Sequence, residues 1–210
     1  YLEDKNNDGK KDDIVALDPG VRHFMTYYSP SGKWGVLGEE RGSRKKLMHM
    51  AKHLDRLQSQ ISKLKTLHKE TQKGVSPNQR LKDELIGCRN SKGTFRHVLQ
   101  RLRRQFWTTH RRIRQKVREL HHQVCNFLTQ NFRTILLPKF ETSNMAAKGV
   151  LHNKTVRSMM TWSHYQFKLL LKSKAEACGC HVIEVGEAFT TMTCTRCGFE
   201  ETVGAARTFH

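Results

Sequence analysis

Apolar positions recur with two different periods along this chain, and the change of period divides it. Residues 14–18, IVALD, form a short apolar run that Pro19 and Gly20 stop. RHFMTYY (22–28) and KWGVLG (33–38) flank the turn SPSG, which predicts an antiparallel meander of three strands with Asp18 at the end of the first. From Leu47 the spacing changes. Leu47, Met50, Leu54, Leu57, Ile61 and Leu64 recur in steps of three and four, the stripe of a long amphipathic helix close to a heptad. TQKGVSPNQ (71–79) and GCRNSKG (87–93) interrupt it. A second long helix is predicted over roughly 94–130, with Leu102, Phe106, Ile113, Val117, Leu120, Val124 and Phe127 on its stripe, and the two helices are expected to pack together. RTILLPKFE (133–141) predicts a strand ending in Pro138, with Glu141 just past it. A third helix is predicted over about 154–177, with Val156, Met159, Met160, Phe167 and Leu170 as buried candidates, and HVIEV (181–185) as a further strand. Residues 1–13, YLEDKNNDGKKDD, are polar and turn-rich and read as a linker.

Charge changes this picture most on the second helix. The chain carries 38 Lys and Arg against 19 Asp and Glu, a net +19, which opposes folding by self-repulsion unless a polyanion shares the surface. Nucleic acid is the default partner. A membrane surface is the alternative, but no apolar run approaches the length needed to span one, and no signal peptide opens the chain. Within RLRRQFWTTHRRIRQKVREL stand Arg101, Arg103, Arg104, Arg111, Arg112, Arg114, Lys116 and Arg118, opposed by Glu119. Like charges on adjacent turns destabilise a helix slightly, and backbone phosphates would supply the countercharge. The alternative is a merely solvated face.

The candidate chemistry lies at the strand ends. Asp18 and Glu141 each follow an apolar run. If those runs pair side by side, both carboxylates reach one rim, where their repulsion calls for a hard divalent cation such as Mg²⁺. Two such ions roughly 4 Å apart can hydrolyse a phosphodiester. A turn-capping aspartate is the other reading of Asp18. Glu184, within HVIEV, and Glu187 compete for the same role.

Six cysteines in so basic a chain do not read as a secreted disulfide framework. Cys194 and Cys197, in TCTRCGFE, have the shape of a zinc knuckle, which leaves Zn²⁺ two ligands short. His210, His181, Cys178 and Cys180 are the available substitutes.

VALDPGVRHFMTYYSPSG, LPKFETSNM and WSHYQFKLLLKSKAEACGCHVIEVGEAFTTMTCTRCG, in this order, resemble the nuclease half of the TnpB and Fanzor group of transposon-encoded RNA-guided DNA endonucleases, its wording nearest the Fanzor branch. The resemblance spans essentially the whole chain. It implies an α/β fold, an RNase H-like (RuvC) mixed sheet with long inserted helices and a partial zinc ribbon. It implies a nuclease domain over 14–190 with a helical insertion at about 42–130, half a zinc ribbon at 191–199, and the start of the last nuclease helix at 200–210. Asp18 and Glu141 would be the first two catalytic carboxylates, holding two Mg²⁺, and Cys194 and Cys197 the first half of a four-cysteine Zn²⁺ site. The partners would be guide RNA and target double-stranded DNA, with no membrane; the Fanzor branch would place the protein in the nucleus, and any other branch in the cytoplasm or at the nucleoid.

The resemblance also implies an amino-terminal part before Tyr1 that holds the guide and reads a short adjacent motif. It departs at one point. The third aspartate of the group falls on or near Thr202, and the second cysteine pair is absent before GAARTFH, so further residues are expected between Gly198 and Gly204. The departure motivates one alternative, an inactive nucleic-acid-binding protein of the same fold; a guide-free transposase that joins ends with similar carboxylates is a further one.

Overall fold

A computed structural model of the chain describes residues 12–38, 43–73, 95–139 and 153–186. Within them the element order is β1 (Asp12–Pro19), β2 (Met25–Tyr28), β3 (Trp34–Leu37), α1 (Ser43–Gln72), α2 (Phe95–Asn131), β4 (Phe132–Pro138), α3 (Asn153–Trp162), α4 (His164–Ala177) and β5 (His181–Val185). The five strands form one mixed sheet in the order β3-β2-β1-β4-β5. The meander β1–β2–β3 is antiparallel, as its turn residues dictate, while β4 lies parallel to both β1 and β5.

The sheet has two unlike faces. Val15 and Leu17 of β1, with Ile135 and Leu137 of β4, point into a core closed by Val124, Cys125 and Leu128 of α2 and Phe167 and Leu171 of α4. Alternation sends Ile14, Ala16 and Asp18 to the opposite face. That face also presents Tyr28, Trp34 and Ile183, which are exposed. The long helices project as a hairpin. Leu57 and Ile61 of α1 meet Leu102 of α2 in a second apolar cluster, with Phe106 packed against it.

Several features differ from the sequence expectations. β1 begins at Asp12, so the last two residues of the stretch read as a linker belong to the sheet. Asp12 and Asp13 are held there by Lys33 (3.3 Å) and Arg133 (3.8 Å). The helix predicted over 154–177 is two helices, broken at Ser163, whose φ of 51° is left-handed. The break lets Trp162 and His164 both turn inward. Met160, a buried candidate, is 55% exposed because the break rotates the apolar stripe away from it. The strand expected over 22–28 forms only from Met25, because residues 21–24 are taken up by a bend.

Candidate functional site

Asp18 stands next to last in β1, exposed, on the open face of the sheet and paired across the ladder with Thr26. Among the described residues no cation forms an ion pair with it. The chain then turns sharply. Gly20 donates its N–H to the carbonyl of Phe24 (3.3 Å), and a Cβ at Gly20 would lie 2.8 Å from the His23 carbonyl oxygen. Only glycine lets the backbone close this turn.

The turn is anchored by a box of rings. Phe24 is fully buried, stacked between His121 of α2 and His164 of α4 at 5.2 Å from each, with the edge of Phe167 at 5.0 Å and Trp162 at 5.7 Å. The carbonyl of Val21 accepts from the Ser158 hydroxyl (2.9 Å) and the Trp162 indole (3.4 Å). His121 Nε2 bonds the carbonyl of Trp162 at 2.9 Å, satisfying an acceptor freed where α3 ends. Burial, the largest cause, lowers the pKa of both histidines, that of His164 to about 4. Both are neutral at pH 7. This box is the part of the site that the sequence pattern did not reveal. Polar residues at buried helix positions, as His121 and His164 are, carry no periodic signal.

The parallel register of β1 and β4 pairs Ala16 with Leu136, so both strands end at the same rim. That meets the condition on which a shared Asp18–Glu141 rim was expected. Glu141 itself lies outside the described residues, as do Glu187, Cys194, Cys197, His210 and the 198–204 segment. Glu184, the competitor, does not belong with Asp18. It is in register with buried Leu137 and therefore lies on the covered face of the sheet. Lys168 (3.3 Å) and Lys172 of α4 neutralise it there, and the hydrogen bond from Lys172 is the main cause holding its carboxyl below the usual range. It pins α4 to β5.

Cys180 is also corrected as a zinc substitute. It is buried, and its thiol reaches the carbonyls of Thr129 and Phe132, both at 3.3 Å. Cys178 and His181 are exposed, and among the described residues no three His, Cys, Asp or Glu side chains gather in a metal-holding group. For Mg²⁺ the donor chemistry at the rim fits as far as it is described: an exposed carboxylate oxygen donor, without a competing protein cation among the described residues.

The eight basic residues of α2 expected to meet phosphates are all exposed: Arg101, Arg103, Arg104, Arg111, Arg112, Arg114, Lys116 and Arg118. They cover more than one side of the helix. Arg112 and Lys116 turn toward α1 and, with His49 and His53, line a groove of about 700 Å³ between the helices, which also includes Glu119. No helix among the described residues is long and apolar enough to cross a membrane.

Comparison with known proteins agrees with this layout. The family described as Cas12f1-like, TNB domain matches residues 164–210. The candidate transposase A625R of Paramecium bursaria Chlorella virus 1 is 28% identical over 197 residues, covering 93% of this chain and 38% of that protein. The TnpB-like protein L79 of Acanthamoeba polyphaga mimivirus is 25% identical over 95% of this chain and 34% of its own length. The chain thus spans about a third of the length of the curated relatives it matches. A chain from the cryo-EM structure of the Cas12f1–sgRNA–target DNA complex superposes with a TM-score of 0.53 at 13% identity, over 94% of this chain and 34% of its own. That likeness is one of fold: a five-stranded mixed sheet with long helices. Sequence relatives, family match and fold converge on TnpB-type proteins, to which this chain is similar over most of its length.

Proposed function

We propose that this chain is the catalytic part of an RNA-guided, Mg²⁺-dependent DNA endonuclease with an RNase H-like nuclease fold. The observation that carries the reading is Asp18: an exposed carboxylate on the open face at the rim where parallel β1 and β4 end together. Glu141 follows Pro138 by three residues, a tether of roughly 10 Å at full extension, so it is within reach of the same rim. Asp18 and Glu141 would hold the cations, and the box around Phe24 keeps the turn after Asp18 in place. What Mg²⁺ supplies when bound is charge neutralisation at phosphate oxygens and a lowered pKa for water. Cys194 and Cys197 would contribute half of a Zn²⁺ ribbon.

The exposed arginines of α2 would hold phosphates, a role supported by the RNA and DNA in the complex of the structural neighbour. A guide RNA would then read one DNA strand by base pairing, leaving the side chains to recognise backbone.

One observation favours a second reading, a nucleic-acid-binding protein of the same fold without cleavage. The closing stretch ETVGAARTFH contains no aspartate. Cleavage of target DNA by the complete protein with its guide RNA and Mg²⁺ decides between them. Asp18→Ala is expected to lower the rate on the order of 10³-fold, as several kcal/mol of transition-state stabilisation are removed. Undiminished cutting by Asp18→Ala overturns the nuclease assignment. Guide-dependent DNA binding by the parent, with no cutting, establishes the second reading.

A further inference from the structure

Helix α2 carries one large aromatic side chain that the fold does not bury. Trp107 is 62% exposed, whereas its neighbour Phe106 packs against the cluster of Leu57, Ile61 and Leu102. An isolated exposed indole needs no explanation. Its setting does. At 3.6 residues per turn, Arg103 and Arg104 precede Trp107 by about one turn, Arg111 follows by about one, Arg114 by about two and Arg118 by about three. All five are exposed and share its side of the helix. From Arg103 to Arg118 this stripe runs roughly 22 Å, about the length of six nucleotide steps along one strand.

The indole is also held in orientation. The Phe106 ring meets it at 5.4 Å and the His110 ring at 5.7 Å, inclined at 85° and 90°. A flat π-face fixed among guanidinium groups combines two binding elements. The arginines attract phosphates on either side, and the ring offers a surface on which a base can lie. A duplex can use only the first, because its bases are already stacked inside it.

We propose that Trp107 is a stacking platform for an unpaired base of an RNA or DNA strand whose phosphates run along Arg103, Arg104, Arg111, Arg114 and Arg118. The proposal rests on the nucleic-acid reading of α2 and adds to it a preference for single-stranded segments. Its specificity is for the presence of an accessible base, not for which base it is, since every base has a π-face.

The test compares the complete protein and its Trp107→Ala, Trp107→Leu and Trp107→Phe variants. Each is titrated with a single-stranded oligonucleotide of about 16 nucleotides, an abasic strand of equal length, and a duplex. Trp107→Ala and Trp107→Leu are expected to weaken single-strand binding on the order of 5- to 100-fold, and Trp107→Phe to retain most of it. Affinity for the duplex and the abasic strand, and the salt dependence of both, stay the same in every variant. Unchanged single-strand affinity in Trp107→Leu overturns the platform, as does an equal loss on the duplex. A lowered melting temperature without an affinity change also overturns it and marks Trp107 as a contact within the protein. A parent that binds none of the three in a salt-dependent way instead overturns the nucleic-acid reading of α2, and the platform with it.

Discussion

Asp18 and Glu184 both stand near the C-terminal ends of parallel strands in one sheet, yet they meet opposite fates. Glu184 faces the helices, where Lys168 and Lys172 neutralise it. Asp18 faces away from them, exposed, with no ion-pair partner among the described residues. The difference comes from the pleat. Successive side chains on a strand alternate between faces, so a one-residue shift in position decides which face a carboxylate joins. On the covered face the protein supplies the countercharge, and the acid becomes a fastener. On the open face none of the described residues supplies the countercharge.

If this contrast is right, Asp18 is held by its backbone and the rings behind it rather than by its own charge. Phe24→Ala attacks those rings and should cost the most, roughly 3–5 kcal/mol of unfolding free energy by denaturant titration. A loss below about 1 kcal/mol would mean that the box does not anchor the turn. The next effect is one of pH. Folding depresses the pKa of His164 to about 4 and lowers that of His121. Between about 6.5 and the folded values, the unfolded chain therefore binds more protons than the native one. Stability is full above about pH 6.5 and falls as pH drops below it, down to about 4 for His164 at up to about 1.4 kcal/mol per pH unit, with His121 adding to the fall in the same direction. His164→Leu should flatten this profile, and a parent profile flat from pH 7 to 5 would contradict neutral burial.

Glu184 then provides the direct counterpart to Asp18. Glu184→Gln removes a partly exposed ion pair and should lower the melting temperature by a few degrees, about 1 kcal/mol at most. Its lowered pKa means that this contribution is present above the unfolded carboxylate pKa and is lost as pH falls through the folded value. Asp18→Asn, the smallest change, should leave the melting temperature within about 2 °C of the parent. A melting temperature that falls as far as that of Glu184→Gln would make Asp18 a structural acid and erase the distinction.

The helices and strands were readable because each buries one face with its own period. Leu47, Leu54, Leu57, Ile61 and Leu64, all on the predicted stripe of α1, are buried. The break at Ser163 was not readable, since TWSHYQ contains neither glycine nor proline and the left-handed residue is a serine. It is held in place by the packing of Trp162 and His164, a tertiary cause that a local pattern does not carry. The face chosen by Glu184 was hidden for a related reason. HVIEV alternates only weakly, and the register with Leu137 resolves it. Of the candidate site, the end-of-strand position of Asp18 was legible from IVALDPG. The histidines that steady the turn after it were not, because their burial depends on residues more than 40 positions apart in sequence.

The parallel pairing of β1 with β4 also sets an order of events during synthesis. Asp12 pairs with Phe132, about 120 residues later, so β1 cannot find its neighbour until both long helices have been made. At 5–20 residues per second this delay is roughly 6–24 s. Until then β1 lacks its parallel neighbour, and the core face of the meander lacks the cover that α2 and α4 give it. The rim bearing Asp18 is therefore completed late. A nascent chain released from a ribosome stalled within α2 would leave open the β1 edge that β4 otherwise covers, a template for pairing with other chains.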